Sequence, residues 1–469
     1  MKRLAVGAEI AKYRLPAKAF PAYALRGQHN QARRFIEKCS QSENFMKQIR
    51  SRTAVLLIFF LFGMSLSASA ATLPAAKPEE VGLSSERLQR IHELMQRNIE
   101  AGNFAGAVTL VARRGRIAHF ETHGMMDLDS KKSMAKDAIF RIMSMTKPVV
   151  GVSILILLEE GKVRLSDPVS RFIPPFKDLK VAVALPSAPA SPFGPPSPAP
   201  QEPRFYTMPA EREITIRDLM THTSGLVSGP ISMSQNAKVS FKPGETLADY
   251  IPRLGGVPLE FQPGTKWAYS AQAGIDTLAR IVEIVSGQTF DQFVRQRLFE
   301  PLEMKDTFFY PAEALEPRIA TLYQKTPQGL QKQNNPPFMN GTYLSGGGGL
   351  FSTTEDYLRF GLMLANGGEL NGKRVLGRRT VEMMASLHTP DTLPGRMPGE
   401  GYGLTVRVIS HSGAAGTALS EGSFGWSGAF GTHFWVDPKE KIVAVLMTQG
   451  GSREVAADLE TAVMQAVID

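Results

Sequence analysis

The chain has 469 residues, with 53 Lys and Arg against 44 Asp and Glu, and a single cysteine, Cys39. Residues 1–70 hold 12 basic and 3 acidic residues, which leaves 41 of each sign in the rest of the chain. The positive charge therefore belongs to the N-terminal segment, and the remainder shows no basic excess that would indicate a nucleic-acid partner. Because no cysteine follows residue 39, thiol catalysis and a cysteine-bound metal are excluded there.

The N-terminal segment has the pattern of a secretory signal peptide. Residues 46–52 are basic, residues 53–66 are apolar, and Ala68-Ser69-Ala70 is a small-residue cleavage site. The apolar run is short for a transmembrane helix, so we expect no stable membrane anchor after cleavage; an uncleaved anchor is the alternative. We expect residues 1–45 to be a misassigned extension, residues 46–70 the signal peptide, and residues 71–469 a periplasmic or secreted domain.

Strand patterns lie near both ends of this domain, and helical patterns lie between them. Alternating residues predict strands over 105–112, 116–122, 402–409, 431–436 and 442–448. Periodic apolar residues predict helices over 85–101, 144–160, 215–220, 271–285, 289–298, 353–365 and 455–467. The order predicts an α+β fold in which an antiparallel sheet is built from both ends, with covering helices and a mostly helical subdomain over roughly 165–385.

Two segments interrupt this pattern. Residues 185–203 are rich in Pro, Ala and Ser, which predicts an extended insertion without regular structure; a lid over the site is the alternative. Residues 346–349 are four consecutive glycines. They lack the lysine of a phosphate-binding loop, so we expect them to allow close backbone packing beside the site.

Ser144 and Lys147 form the strongest chemical motif. They stand three residues apart, directly before the apolar run 149–158, so on a helix they would share one face. A lysine amine within reach can activate a serine hydroxyl for attack on a carbonyl. The alternative is a helix-capping serine followed by a solvated lysine. A second match, Ser133 to Lys136, lies in a polar stretch and is interpreted as a surface turn.

Two further segments are candidates for the same site. Residues 261–270 form a Pro-Gly turn that delivers Tyr269 just before a helix, where a phenol beside a cation could act as a general base. Residues 425–431 are mostly small and lie at the start of a strand, where backbone N–H groups could approach a ligand. An ordinary packed tyrosine and a plain turn between strands are the alternatives.

The histidines indicate no second mechanism. No Gly-x-Ser-x-Gly elbow is present, which argues against an ordinary α/β-hydrolase. We interpret His222 as a hydrogen-bonded structural residue, and His411 and His433 as isolated structural or rim residues. No His-Glu-x-x-His or comparable pattern is present, so neither a metal nor another cofactor is expected.

In this order, these segments resemble the serine β-lactamase and penicillin-binding-protein superfamily, above all its class C-like branch and the family VIII carboxylesterases. Residues 217–226, 263–264, 346–352 and 434–438 add to the match, which covers nearly all of residues 73–469. The resemblance implies a three-layer α/β/α fold of the β-lactamase/transpeptidase type.

The resemblance also implies roles for particular residues. Ser144 would attack the substrate carbonyl and become acylated. Lys147 would form a hydrogen bond with Ser144, and Tyr269 would act as general base in acylation and deacylation. The backbone amides of Ser144 and Ala429 would form the oxyanion hole. Trp426, Ser427 and Gly428, directly before Ala429, would lie on the strand that binds the substrate.

The chain departs from the family pattern at two positions. The Tyr-x-Asn box reads Tyr269-Ser270-Ala271, and the Lys-Thr-Gly box reads Trp426-Ser427-Gly428. The missing groups normally hold the amide and the carboxylate of a β-lactam, and a charge-assisted hydrogen bond contributes about 1.5–3 kcal/mol. Their loss therefore favours a neutral substrate.

We accordingly expect a secreted or periplasmic serine hydrolase that cleaves short-chain carboxylic esters through an acyl-enzyme. Its partner would be a small ester or acyl substrate, with no metal and no nucleic acid. The alternatives are a class C-like β-lactamase or D-amino-acid peptidase, and a non-catalytic relative that binds peptidoglycan or a partner protein.

Overall fold

The computed structural model describes residues 73–186, 202–339, 341–451 and 453–469. The predicted extension over 1–45, the predicted signal peptide over 46–70 and most of the Pro-rich insertion lie outside the described residues, so these stay predictions. Within the described ranges, no helix is both long enough and apolar enough to cross a membrane.

The strands group into one large sheet and several short pairs. In chain order they are β1 Gly106–Arg113, β2 Arg116–Asp127, β3 Lys132–Ser133, β4 Phe140–Arg141, β5 Lys180–Ala184, β6 Phe205–Pro209, β7 Tyr323–Thr326, β8 Gly329–Lys332, β9 Phe351–Ser352, β10 Glu369–Leu370, β11 Lys373–Arg374, β12 Glu400–Tyr402, β13 Arg407–Ile409, β14 Phe424–Ser427, β15 His433–Asp437 and β16 Ile442–Thr448. The large sheet is antiparallel and has the order β12-β13-β14-β15-β16-β1-β2-β3.

The helices lie before, between and after these strands. They are α1 Ser85–Glu100, α2 Thr146–Glu159, α3 Ile216–Met220, α4 Pro230–Lys238, α5 Leu247–Tyr250, α6 Ala273–Ser286, α7 Phe290–Val294, α8 Thr354–Ala365, α9 Arg378–Ala385, α10 Ser412–Ala415 and α11 Arg453–Met464. Short 3₁₀ turns join them, and α7 continues into a π-helical turn over Arg295–Phe299.

The central strands are covered on both faces. β1 and β16 pair in register, with Leu110 opposite Val445, and both strands are buried along their whole length. Leu110 packs into the core shared with α2 and α8, whereas its neighbour Val111 packs against α1 and α11. Because alternate strand residues point to opposite faces, these contacts place a helical layer on each side of the sheet. The predicted α/β/α architecture, with a sheet built from both ends of the domain, is confirmed.

The apolar run that follows Ser144 forms α2, the most buried helix near the site. Residues 146–157 are all buried, including Lys147. A helix that is apolar on all sides belongs in a protein interior rather than at its surface. Pro148 is tolerated because it lies in the first turn, where its missing N–H has no intrahelical partner to lose.

Several predicted boundaries are wrong. The strand predicted over 402–409 is a hairpin of β12 and β13, because the chain reverses at residues 403–406, where Thr405 adopts a positive φ of 68°. The helix predicted over 289–298 is an α-helix followed by the π turn. On either side of the Pro-rich insertion, β5 and β6 pair as an antiparallel hairpin, with Ala184 opposite Phe205.

Candidate active site

Ser144 lies in a tight turn at the N-terminus of a buried helix. The turn is a 3₁₀ helix over Met143–Met145, and α2 begins at Thr146, two residues later than predicted. Met143 adopts a positive φ of 48°, which a residue with a β-carbon rarely adopts. The turn therefore presents Ser144 at the positive end of the α2 dipole.

Two side chains meet at the Ser144 hydroxyl. The Lys147 Nζ donates to Ser144 Oγ at 3.2 Å, and the Tyr269 hydroxyl donates to the same oxygen at 2.8 Å. The Lys147 Nζ also lies 5.1 Å from the centre of the Tyr269 ring. The structure thus brings the predicted alcohol, amine and phenol into one hydrogen-bonded group, although Tyr269 is 125 residues from Ser144 in sequence.

The buried ammonium of Lys147 has an acceptor for each of its three hydrogens. Besides Ser144 Oγ, it donates to the backbone carbonyls of Ala271 and Gly347, each at 2.6 Å. A lysine ammonium has three donors and no acceptor, so this cage satisfies it completely. The four-glycine run contributes one of the carbonyls. It also packs closely: a β-carbon on Gly347 would lie 2.8 Å from the Gln272 Cα.

Asp276 holds this glycine loop in place and was missed by the sequence interpretation. From α6, its carboxylate accepts hydrogen bonds from the Gly347 N–H at 2.7 Å, the Ser345 hydroxyl at 3.0 Å and the Tyr343 hydroxyl at 2.8 Å. Burial raises the pKa of Asp276, although these donors and the charge of Lys147 oppose the shift. Asp276 therefore holds Gly347 in the position where its carbonyl oxygen accepts the hydrogen bond from Lys147.

The end of β14 packs directly against the turn that carries Ser144. A β-carbon on Gly428 would lie 2.4 Å from the Ile142 carbonyl oxygen and 2.2 Å from the Thr432 Oγ1. Ala429 follows in the exposed turn between β14 and β15. A groove of about 580 Å³ adjoins Ala429 and Phe430. The predicted oxyanion role of Ala429 stays a prediction.

An aromatic cluster lies behind Tyr269, formed by His222, Trp267, Tyr269, Tyr402 and Trp426. The Trp426 ring lies 5.8 Å from the Tyr269 ring and stacks at 5.9 Å on His222. Trp267 in turn stacks on Tyr402 at 4.4 Å. Trp426 therefore supplies a rigid apolar wall next to the phenol, at the position where the family pattern has lysine.

The interpretation of His222 as hydrogen-bonded is wrong. Its ring is buried, and neither ring nitrogen has a hydrogen-bond partner among the described residues. Burial, together with the charge of Lys147, lowers the pKa of His222 to about 3. The residue is thus a neutral ring that packs edge-on against Tyr269, with centroids 4.8 Å apart.

His433 is not isolated as expected but connects the site to a buried ion pair. Its Nδ1 lies 2.8 Å from the Ser427 Oγ, and its Nε2 lies 2.9 Å from the Glu460 Oε1, which also accepts from Arg407 at 2.5 Å. Burial raises the pKa of Glu460, but His433 and Arg407 outweigh it and the net shift is downward. This chain fixes the orientation of the Ser427 hydroxyl on β14.

The remaining candidates lie elsewhere. His411 caps the short helix α10, where its Nδ1 accepts from the Ala414 N–H at 3.1 Å. The second Ser-x-x-Lys match lies at β3, where Ser133 is exposed and the Lys136 ammonium lies over the Phe120 ring. Neither belongs to the group around Ser144.

Comparisons with known proteins point to one family. Residues 89–468 match the model of the family described as Beta-lactamase. Protein Rv1367c of Mycobacterium tuberculosis is 33% identical over 75% of this chain and 87% of its own. Esterase EstB of Burkholderia gladioli is 28% identical over 81% of this chain and 94% of its own.

A solved structure supports the fold. EstCE1, described as a hydrolase with promiscuous acyltransferase activity, superposes with a TM-score of 0.65 at 24% identity, over 81% of this chain and 99% of that one. The family match spans most of the chain and includes every residue of the site. The chain therefore belongs to the Beta-lactamase family and is a serine hydrolase.

Proposed function

We propose that this hydrolase cleaves short-chain carboxylic esters through an acyl-enzyme formed on Ser144. One observation carries the proposal: the Ser144 hydroxyl lies between the Lys147 amine and the Tyr269 phenol, while Ala271 and Trp426 replace the groups that hold an anionic β-lactam. The site is thus equipped for acyl transfer and lacks a cation at the position of Trp426.

In the reactive form, the Tyr269 phenol has released to solvent the proton that it donates to Ser144 in the structure, and the Lys147 ammonium stabilises the phenolate. In the first half of the reaction, the Ser144 oxygen attacks the ester carbonyl carbon while its own proton passes to this phenolate. The carbonyl oxygen becomes an oxyanion that the amides of Ser144 and Ala429 receive. The C–O bond to the alcohol then breaks, and the alcohol leaves with the proton from Tyr269.

In the second half, water replaces the alcohol. Tyr269 takes a proton from the water as its oxygen attacks the acyl carbon, and the bond to Ser144 breaks. The proton on Tyr269 returns to the Ser144 oxygen, and the carboxylic acid leaves. The transfers between Tyr269 and Ser144 pass over the 2.8 Å contact of their two oxygens.

The wall of the site favours a neutral acyl group. Trp426 packs with Tyr269 and Tyr402, and it leaves an apolar surface where a β-lactamase of the family pattern has an ammonium group. The carboxylate of an anionic substrate would have no ammonium group to pair with at this position. The cost of removing that carboxylate from water would then not be compensated. The names of two relatives point the same way, since EstB is called an esterase and EstCE1 a hydrolase with acyltransferase activity.

The test compares two chromogenic substrates on the same preparation, p-nitrophenyl butyrate and a chromogenic cephalosporin. We expect rapid hydrolysis of the ester and a kcat/KM for the cephalosporin lower by about two orders of magnitude or more, as lost charge-assisted contacts imply. The Ser144→Ala variant controls for contaminating esterases. Rapid cephalosporin turnover with negligible ester hydrolysis would show a β-lactamase instead.

We also propose that the enzyme acts in the periplasm or outside the cell, since the signal-peptide pattern precedes the domain. N-terminal sequencing of the protein from a periplasmic extract should find a chain that begins at or just after Ala71. A full-length chain confined to the cytoplasmic fraction would contradict export.

A further inference from the structure

A second cluster of reactive side chains lies on the other face of the large sheet, where α1 covers β2. His119, Glu121 and His123 are alternate residues of β2, so they share one face of the strand. His92 projects from α1 toward them, with its ring centre 5.5 Å from that of His123. The pattern His-x-Glu-x-His could have been read from the sequence, but His92 joins it only through the fold.

We propose that His92, Glu121 and His123 form a binding site for a divalent transition-metal ion such as Zn²⁺. One ligand atom from each residue lies within 4.8 Å of the other two. Two imidazoles and one carboxylate are a donor set typical of zinc sites with an open position. The expectation of no metal from the sequence overlooked the His-x-Glu-x-His pattern of β2, and no contiguous motif could have added His92 from α1.

His123 supplies the observation that points to a ligand. Its side chain is 1% exposed, and its Nδ1 has no hydrogen-bond partner among the described residues. Its Nε2 lies 2.9 Å from the Thr109 Oγ1. If Nε2 carries the proton and donates it to Thr109, the Nδ1 lone pair is free for a metal, as metal-binding histidines commonly arrange.

Thr109 makes this tautomer self-consistent. Its hydroxyl lies between two histidines, 2.9 Å from His123 Nε2 and 2.8 Å from His119 Nε2. With that tautomer of His123, Thr109 accepts from His123, and its single proton is left to be donated to His119. His119 then carries its own proton on Nδ1, 4.0 Å from Glu121 Oε1. His119 and Thr109 thus orient the ligands rather than bind the ion.

The remaining two ligands can close on the ion with little cost. His92 Nδ1 lies 3.6 Å from Glu121 Oε2, and both side chains are about half exposed. Ligands at zinc-bond lengths lie about 3.3 Å apart around a tetrahedral ion, so side-chain rotation suffices. Such an ion would tie α1 to β2 at the face opposite Ser144.

The test is a metal titration of the untagged, chelator-treated mature chain. We expect one Zn²⁺ to bind by calorimetry, and one Co²⁺ to bind with visible absorption bands of a low-coordinate site. The His92→Ala variant removes an exposed ligand without disturbing the core, and it should bind at least about tenfold more weakly. Glu121→Gln should weaken binding similarly, and both variants should keep the wild-type ester hydrolysis rate, which shows that they are folded.

His411→Ala is the matched control, because it removes an exposed histidine remote from the cluster, and it should bind metal as the wild type does. Equal affinity of the wild type and His92→Ala, or a titration without saturation at one equivalent, would overturn the proposal. Loss of affinity in His411→Ala to the same extent would also overturn it, since binding would then not depend on this cluster.

Discussion

The hydroxyl of Ser144 has two neighbours, Tyr269 and Lys147, that suit different chemical roles. Tyr269 lies closer, at 2.8 Å, and its oxygen can both give and take a proton. Lys147, at 3.2 Å, has its other two hydrogens engaged with the carbonyls of Ala271 and Gly347. The geometry therefore suits the tyrosine for proton transfer and the lysine for a fixed positive charge.

At this scale the support of the lysine is testable. In Asp276→Asn, one acceptor oxygen becomes an NH₂ group that faces the N–H or hydroxyl donors of residues 343, 345 and 347. We expect a loss of about 1–3 kcal/mol in the free energy of unfolding, because a buried donor is left unpaired. Urea denaturation measures this loss, and kcat should fall as the Gly347 carbonyl shifts. An unchanged stability and kcat would contradict the role given to Asp276.

Individual residues differ in how far the sequence predicts them. Ser144 and Lys147 are predictable because their spacing of three is local. Tyr269 follows only from its place in the family pattern. Asp276 was missed because its partners lie about 70 residues away. His222 was misread, since a histidine in a polar turn gives no sign that tertiary packing will bury it without partners.

At the scale of elements, the site depends on how β14 meets the turn before α2. The Thr432 hydroxyl donates to the Ile142 carbonyl at 3.1 Å, and Gly428 has no room for a side chain at the same contact. The absence of a β-carbon thus lets the two segments approach. This approach sets the distance between the Ser144 amide and the turn at Ala429.

Gly428→Ala tests this approach. The added methyl group would meet backbone and Thr432 at distances that require the strand end to move, and small displacements of catalytic groups lower rates strongly. We expect kcat for p-nitrophenyl butyrate to fall about 10²-fold. Gly256→Ala is the matched control, because a β-carbon there has no atom within 4 Å, and it should keep the wild-type rate. Equal rates in the two variants would show that the close contact is not needed.

Elements were predictable in type more than in extent. The strand 442–448 matches β16 because alternation and burial agree along its whole length. The single strand predicted over 402–409 is wrong because the apolar alternation continues through a turn. The chain reverses with a positive φ at Thr405, and no glycine stands at that position to indicate the turn. The boundary of a helix such as α2 depends on the 3₁₀ turn before it, which follows from the packing against β14.

At the scale of the whole molecule, the sheet joins the two ends of the domain. β1 and β16 lie side by side, although more than 300 residues separate them. The catalytic group lies on one face of this sheet and the histidine cluster on the other. The order of strand and helix patterns predicted this architecture, whereas the subdomain boundaries near 165 and 385 stay a prediction.

Acid should destabilise the folded protein through buried histidines. The pKa of His222 is about 3 in the folded state, against about 6.5 when it is unfolded. Between these values the unfolded chain binds a proton that the folded chain does not. The stabilisation that comes from a neutral His222 is therefore fully present above pH 6.5 and is lost as the pH falls toward 3. Urea denaturation across this range measures the free energy of unfolding at each pH. This free energy should fall less steeply with decreasing pH for His222→Phe than for the wild type, by a slope that corresponds to about one bound proton. Parallel curves would contradict a neutral buried His222.

The central claim is that Ser144 is acylated with the help of Tyr269, and one measurement tests it most directly. Intact-protein and peptide mass spectrometry after rapid mixing with a fluorophosphonate should find a single adduct on Ser144 in the wild type. The Tyr269→Phe variant should be labelled about 10²–10⁴-fold more slowly, as expected for loss of a positioned general base. An unmodified Ser144, or labelling of Tyr269→Phe at the wild-type rate, would contradict the account.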